Sequence, residues 1–255
     1  RQPERETHVN LQVHRESGET VMLRGAHVEH STLRGPCMGP LVLAKGCTSA
    51  ELRAEALRRT LQYALWGMPF GGSASSIPVE LDGWSEQELR RVVCTFHEPR
   101  LGAGDSSIVT PARELPSQMM AWIAAGAPAD REHLSRVTGK PVSMGGIDRE
   151  YVAARFMAGL VRSAVGRNLG GVQVALAGFD SIAQRTAVEL ELAGARIVAV
   201  ADCSGAVYQR AGLNLELLRE HVAREDVVFG FAEAQSMSLE DMMRTECDVL
   251  ALSDG

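Results

Sequence analysis

Lysine is almost missing from this chain. Only Lys45 and Lys140 supply side-chain amines, and all the other basic residues that contribute to the count of 26 are arginine. Arginine stays protonated in proteins, so it cannot replace an amine whose pKa has been lowered for catalysis. Any chemistry that needs a lysine therefore has two candidate residues here.

Other shortages exclude several classes of protein. The five cysteines are scattered, with no C-x-x-C pair, and the seven histidines show no H-x-x-x-H spacing. We therefore expect reduced thiols in the cytoplasm rather than disulfides, and no metal site. The net charge of −6 does not favour nucleic acid as a partner. No apolar run approaches the ~18 residues of a membrane span, and the charged first residues do not resemble a signal peptide.

A β-α-β unit between Val172 and Asp202 is the clearest pattern that is present. Val172, Val174 and Leu176 alternate as in a strand, a helical pattern follows, and Ile197–Val200 forms a second strand that leads to Asp202. With 255 residues, 45% of them hydrophobic, the chain is long enough for two domains with separate cores. This unit is typical of a dinucleotide-binding, Rossmann-like fold.

The phosphate-binding turn of this unit departs from the usual G-x-G-x-x-G. The corresponding residues are Gly178, Phe179, Asp180, Ser181 and Ile182, followed by Ala183. Alanine is acceptable at the third glycine, which only packs helix against strand. At the second glycine, however, a carboxylate adds bulk and negative charge where pyrophosphate approaches the helix. Asp180 is therefore interpreted as a structural N-cap in the place of phosphate, and we expect no NAD(P) binding or weak binding.

The end of the second strand allows two interpretations. Asp202 stands where an acidic residue would bind ribose hydroxyls, and Cys203 follows it directly. The same carboxylate could instead cap the turn into Ser204-Gly205. The sequence does not decide between these alternatives.

The N-terminal half mixes strands and helices. Residues 8–14 and 20–24 predict a hairpin, with further strands at Ala26–His30 and Leu41–Ala44 and breaks at Gly35-Pro36 and Gly39-Pro40. Residues 69–76 and 102–111 are predicted to be loops. Capping boxes and helical spacing predict helices after Thr48 and Ser85, and further helices at Leu115–Ala125, Asp130–Val137, Arg149–Arg167 and Leu213–Val222. Asp248–Leu252 is predicted to be a third parallel strand.

Five segments are similar to motifs of one known protein family. Residues 23–36, LRGAHVEHSTLRGP, are similar to F-x-G-Y-R-V-Q-H-x-x-A-R-G-P. Residues 68–72, MPFGG, are similar to L-P-Y-G-G, and residues 118–122, QMMAW, match Q-V-M-A-W. Residues 138–142, TGKPV, match T-G-K-P-V, and residues 198–205, VAVADCSG, are similar to V-A-V-S-D-S-S-G. With these segments the chain resembles the Glu/Leu/Phe/Val dehydrogenase family, which includes the glutamate dehydrogenases.

The resemblance implies an α/β fold of two domains. Residues 1–145 would form an N-terminal domain of the dehydrogenase dimerisation type, which serves assembly and substrate binding. Residues 146–255 would form a Rossmann-like parallel-sheet domain. The family's proteins are longer, so we expect that sheet to be incomplete.

The catalytic positions of the family are changed in this chain. The resemblance places the carboxylate-binding lysines of the family at Met38 and Gln62, its catalytic lysine at Ala74 and its catalytic aspartate at Ala112. Oxidative deamination needs a lysine of lowered pKa and a carboxylate that moves protons, and neither alanine supplies such a group. A cleft with these four residues would suit a neutral or apolar ligand better than glutamate.

Three hypotheses follow. The first is a non-catalytic, regulatory or structural subunit that associates with itself or with an active homologue, with a small molecule as a further ligand. The second is an active NAD(P)-dependent amino-acid dehydrogenase whose catalytic groups have moved, with Glu114 and Lys45 as the nearest replacements. The third is a binding protein that senses a small metabolite, with Asp180 excluding dinucleotides.

Overall fold

Two five-stranded sheets organise the chain, which divides after Ile147 into two compact units. The structure, a computed structural model, describes residues 2–102, 107–112, 115–126, 136–166 and 168–252. Each sheet has two parallel and two antiparallel strand pairs and is covered by helices, so the α/β fold predicted from the sequence is confirmed.

The sheet of the first unit has the strand order β1-β2-β4-β3-β5. β1 and β2 form the predicted hairpin and pair antiparallel, as do β2 and β4, whereas β3 is parallel to β4 and β5. The strands of this sheet are β1 (Arg5–His14), β2 (Thr20–Glu29), β3 (Cys37–Leu43), β4 (Gly71–Ile77) and β5 (Ile108–Pro111). The helices of the first unit are α1 (Ser49–Leu65), α2 (Glu86–Gly102) and α3 (Ser117–Gly126), with a 3-10 turn at Val142–Met144.

Side chains alternate between the faces of this sheet, so each face has its own core. One face packs against α1 through a small cluster of Ala26, Val28, Leu52, Ala56 and Ala74. The other face packs against α2 and α3 through a larger cluster that includes Leu11, Leu23, Leu41, Ile77, Phe96, Met120 and Ile123. The unit is therefore a helix–sheet–helix sandwich.

Helix α1 begins as the sequence predicts. Thr48 accepts a hydrogen bond from the Glu51 amide, and the Glu51 side chain accepts one from the Thr48 amide. Ser85 and Glu88 form the same reciprocal pair at the start of α2. These hydrogen bonds confirm both predicted capping boxes. The boxes are predictable from sequence because their geometry depends only on residues within one turn.

The loop predicted at residues 69–76 is wrong, because β4 is a strand in which every residue is buried. The small residues there allow close approach rather than flexibility. A Cβ on Gly72 would lie 2.1 Å from the Ala56 carbonyl oxygen, and one on Gly71 would lie 1.8 Å from that of Ser31. Helix α1 and the neighbouring loop thus press directly on the backbone of β4.

Other element boundaries also differ from the predictions. β2 runs unbroken to Glu29, the predicted break at Gly39-Pro40 lies inside β3, and β5 occupies the end of the loop predicted at 102–111. Gly39 is needed within β3 because a Cβ there would lie 1.6 Å from the Ser73 carbonyl oxygen. Most of the helix predicted at 130–137 lies outside the described residues, which include only Arg136 and Val137 of it. Val137 forms a β-bridge with Val109.

The sheet of the second unit has the order β10-β6-β7-β8-β9. β6 is parallel to β7 and to β10, which confirms the predicted third parallel strand, and the β7–β8 and β8–β9 pairs are antiparallel. The strands are β6 (Gln173–Ala177), β7 (Arg196–Asp202), β8 (Gly205–Tyr208), β9 (Gln235–Met237) and β10 (Val249–Leu252). The helices are α4 (Arg149–Val165), α5 (Ser181–Leu192), α6 (Leu215–Glu225) and α7 (Leu239–Met243).

The second unit contains two core clusters of different character. The larger joins the sheet to α4, α5 and α6 through branched side chains that include Val161, Leu176, Leu190, Val200 and Leu218. The smaller contains Ala175, Ala199, Ala201 and Ala206 of the sheet and Met242 of α7. The short β8, β9 and α7 were not predicted, since elements of three to five residues carry too little periodicity.

Candidate functional site

The turn between β6 and α5 is built around its own carboxylate. Gly178 adopts φ of +98°, which favours glycine, and its amide donates to the Ala201 carbonyl at 2.9 Å. Phe179 turns into the core and is 6% exposed. Asp180 then caps α5, with its Oδ1 accepting a hydrogen bond from the Ala183 amide at 2.8 Å. The N-cap interpretation of Asp180 is confirmed.

This arrangement does not fit pyrophosphate as the glycine turn of a dinucleotide site does. Phosphate binds to amides at a helix N-terminus, where the macrodipole favours negative charge. Here the Ala183 amide is already bound by Asp180, which also places a carboxylate at the turn. Of the neighbouring predicted positions, Ser181 is exposed and Ile182 is half-buried.

Asp202 caps the turn that follows β7. Its Oδ1 accepts hydrogen bonds from the amide and hydroxyl of Ser204, and its Oδ2 accepts one from the Val228 amide at 2.8 Å. Both carboxylate oxygens therefore hold the chain's own backbone, as the turn-capping alternative requires. Cys203, next to Asp202, is exposed.

In the first unit, three of the four predicted substrate positions lie at neighbouring strands of one sheet. Met38 of β3 is half-buried and pairs with Gly72 of β4 and Ile108 of β5. Ala74 of β4 is fully buried in the cluster under α1. Ala112 directly follows β5, and its amide donates to the Leu41 carbonyl at 3.1 Å.

The fourth position, Gln62, lies on α1, the helix that packs on this sheet. It is half-buried, and its Oε1 accepts a hydrogen bond from Arg59 at 3.3 Å. None of the four residues carries a titratable side chain. Glu114, the replacement carboxylate considered above, lies outside the described residues.

Each of the two lysines contacts another group of the chain. The Lys45 amine is at the surface, 3.4 Å from Glu80, and its side chain is 64% exposed. The Lys140 amine donates to the Val137 carbonyl at 2.8 Å.

A buried polar row in the first unit was missed by the sequence analysis. His27 Nδ1 lies 2.9 Å from the Ser75 hydroxyl, and its Nε2 lies 3.8 Å from a Glu29 oxygen. The other Glu29 oxygen accepts a hydrogen bond from Arg5. One signal was available, since His27 stands where the F-x-G-Y-R motif of the resemblance has arginine.

Across the described ranges, no group of three or more histidine, cysteine, aspartate or glutamate residues could hold a metal ion. Within the same ranges, no helix combines the length and the apolar character needed to span a bilayer.

Comparison with protein families decides the relationship. The model of the Glu/Leu/Phe/Val dehydrogenase dimerisation domain matches residues 3–127, and that of the Glutamate/Leucine/Phenylalanine/Valine dehydrogenase domain matches residues 147–253. The chain belongs to the Glu/Leu/Phe/Val dehydrogenase family. The resemblance found in the sequence is thereby confirmed.

Individual glutamate dehydrogenases are similar over nearly the whole chain. The enzyme of Thermotoga maritima is 29% identical over 260 aligned residues, which cover 98% of this chain and 62% of that protein. The NADP-specific enzyme of Saccharolobus shibatae is 28% identical, with 98% and 61% covered. This Glu/Leu/Phe/Val dehydrogenase family member thus spans about three fifths of the length of these relatives.

Solved structures have the same fold. The hetero-hexameric glutamate dehydrogenase of Thermus thermophilus, in a leucine-bound form, superimposes with a TM-score of 0.80 at 29% sequence identity. The match covers 98% of this chain and 61% of the Thermus chain. The enzyme of Peptoniphilus asaccharolyticus has a TM-score of 0.79 at 20% identity, with 100% and 62% covered. The latter likeness concerns the fold alone.

Proposed function

We propose that this family member is a non-catalytic subunit that assembles with itself or with an active glutamate dehydrogenase homologue. The proposal rests on the resemblance, which places Met38, Gln62, Ala74 and Ala112 where the family has its substrate-binding and catalytic lysines and its aspartate. Removing one general acid or base typically costs ~10²–10⁴ in rate. Catalytic residues depend on one another, so a site that lacks several of them should retain little activity.

The nucleotide turn supports the same proposal. Asp180 binds the helix amide that a phosphate would use, and Asp202 binds the backbone of two segments. A dehydrogenase that oxidises an amine needs a hydride acceptor as well as its catalytic lysine. The closed nucleotide turn and the missing lysine therefore both support a loss of catalysis. We expect no NAD(P) binding, or weak binding, in the second unit.

Assembly is supported by the relatives. The family model that matches the first unit describes a dimerisation domain, and the Thermus thermophilus relative is a hetero-hexamer. We assign assembly to the first unit. We expect the protein to act in the cytoplasm. A neutral ligand fits the changed positions better than glutamate, and the leucine bound by the Thermus relative is a ligand with an apolar side chain.

Co-purification tests the proposal. The tagged chain is expressed with an active glutamate dehydrogenase from the same organism, and the complex is sized at micromolar concentrations. We expect a mixed oligomer, while the chain alone forms no NADH or NADPH from glutamate. Turnover by the chain alone would contradict the loss of catalysis, and failure to form either a mixed oligomer or a homo-oligomer would contradict the assembly role.

A further inference from the structure

A cavity of about 510 Å³ opens in the second unit, away from the nucleotide turn. Gln173 at the start of β6 and Asp248 just before β10 line it, so it lies at the amino ends of the parallel strands. The Gly178 turn lies at the opposite end of β6. The remaining lining residues are Tyr208, Arg210, Gln235, Met237, Thr245, Glu246 and Cys247.

The cavity exists because the sheet is thinly covered there. Tyr208, Met237 and Cys247 pack against the small cluster in which alanines of the sheet meet Met242 of α7. Methyl side chains and a helix of five residues fill little space. Its volume lies within the range of ~300–1,000 Å³ that is usual for small-molecule sites.

Two of the three charged side chains on its wall, those of Arg210 and Glu246, bind no other group among the described residues. In the part of the chain that the structure describes, neither Arg210 nor Glu246 forms an ion pair or a side-chain hydrogen bond. Asp248 is oriented by the Gln173 amide, which donates to its Oδ2 at 2.8 Å. One cationic and two anionic groups therefore line a single cavity.

We propose that this cavity binds a basic α-amino acid. Such a molecule carries one carboxylate, which Arg210 would bind, and two cationic groups, which Glu246 and Asp248 would bind. Tyr208 and Met237 supply apolar surface for the methylene groups between the charges. A dicarboxylate such as glutamate matches this wall poorly, because it would bring a second negative charge to a cavity whose own net charge is already negative.

Calorimetric titration of the whole chain with L-lysine at low salt tests the site. Cadaverine lacks the carboxylate of lysine, and 6-aminohexanoate lacks its α-amine, so each removes one of the matched charges. Since the charged groups are exposed, we expect lysine to bind about threefold to tenfold more tightly than either analogue, with the affinity falling as salt is added.

Variants separate this site from general charge effects. Arg210→Gln should weaken lysine binding but not cadaverine binding, which should stay the same or tighten because a repelling cation is removed, whereas Glu246→Gln should weaken both. Arg224→Gln and Glu225→Gln on α6 are matched controls that lie outside the cavity and should change neither. Unfolding temperatures of all the variants verify that they fold.

Two results would overturn the proposal. One is the absence of lysine binding at millimolar concentrations. The other is lysine binding that Arg210→Gln and Glu246→Gln leave unchanged, or that the control variants on α6 weaken equally. Neither result bears on the assembly role or on the loss of catalysis, which concern other residues.

Discussion

The Nδ1 atom of His27 lies 2.9 Å from the hydroxyl of Ser75, and both side chains are almost completely buried. The two residues face each other across β2 and β4, 48 positions apart in the chain. The buried carboxylate of Glu29 lies on the other side of the imidazole. This polar row is part of the interior of the sheet, so its hydrogen bonds should contribute to stability.

Ser75→Ala should destabilise the protein by about 1–3 kcal/mol, because a nearly buried imidazole loses a hydrogen-bond partner. A double-mutant cycle with His27→Ala, measured by urea unfolding, should give a coupling energy of about 0.5–3 kcal/mol. The surface provides a control, since His14 Nδ1 and the Thr20 hydroxyl are also 2.9 Å apart but exposed. Thr20→Ala should change stability by less than about 0.5 kcal/mol. Equal effects at the two sites would mean that burial does not strengthen the His27 bond.

Gly72→Ala tests the close contact between β4 and α1. The added Cβ would lie 2.1 Å from the Ala56 carbonyl oxygen and 2.3 Å from the Thr60 nitrogen, both of which are backbone atoms that cannot easily move. We expect a loss of about 3 kcal/mol or more in the free energy of unfolding. Gly159→Ala on α4 is the control, because nothing lies within 4 Å of its Cβ. It should be neutral or stabilise the helix by about 0.5–1 kcal/mol. A Gly72→Ala variant as stable as the wild type would show that β4 is not packed against α1.

Glu88 predicts a pH dependence of stability. Its carboxylate accepts hydrogen bonds from Arg15 and from the amides of Ser85 and Glu16, and these lower its pKa from the usual 4.5 to about 2. Since the pKa is lowered on folding, the stabilisation is fully present above pH 4.5 and is lost as the pH falls through about 2.

Glu88→Gln should therefore lower the unfolding temperature at pH 7 by several degrees, and its difference from the wild type should shrink between pH 4.5 and pH 2. Glu86→Gln, on the same turn of α2, replaces an exposed side chain and should leave the unfolding temperature at pH 7 nearly unchanged. A difference between wild type and Glu88→Gln that stays constant down to pH 2 would contradict the role of the charge.

The sequence predicted those features that depend on neighbouring residues. The hairpin, both capping boxes and the Asp180 cap each follow from contacts within a few positions. The prediction from sequence failed at β4, because a run of glycine and serine is typical of loops. Only the close approach of α1 explains why this run forms a strand. Asp202 could not be assigned because its second partner, Val228, is 26 positions away. The His27–Ser75 contact was missed for the same reason.

The central claim, a dehydrogenase fold without a working cofactor site, depends on Asp180. Asp180→Asn is a useful intermediate variant, because it retains a capping side chain and removes the charge. If the charge is the main obstacle to pyrophosphate, this variant should bind NAD(P)H more weakly than Asp180→Gly but more tightly than the wild type. Gly costs only a few tenths of a kcal/mol as an N-cap relative to the preferred residues, so Asp180→Gly should still fold.

Calorimetric titration of NADH and NADPH into the wild type and into Asp180→Gly is the most direct measurement. We predict no binding, or weak binding, to the wild type and a clear gain of binding in the glycine variant. Micromolar binding to the wild type would contradict the claim that the Asp180 carboxylate closes the site.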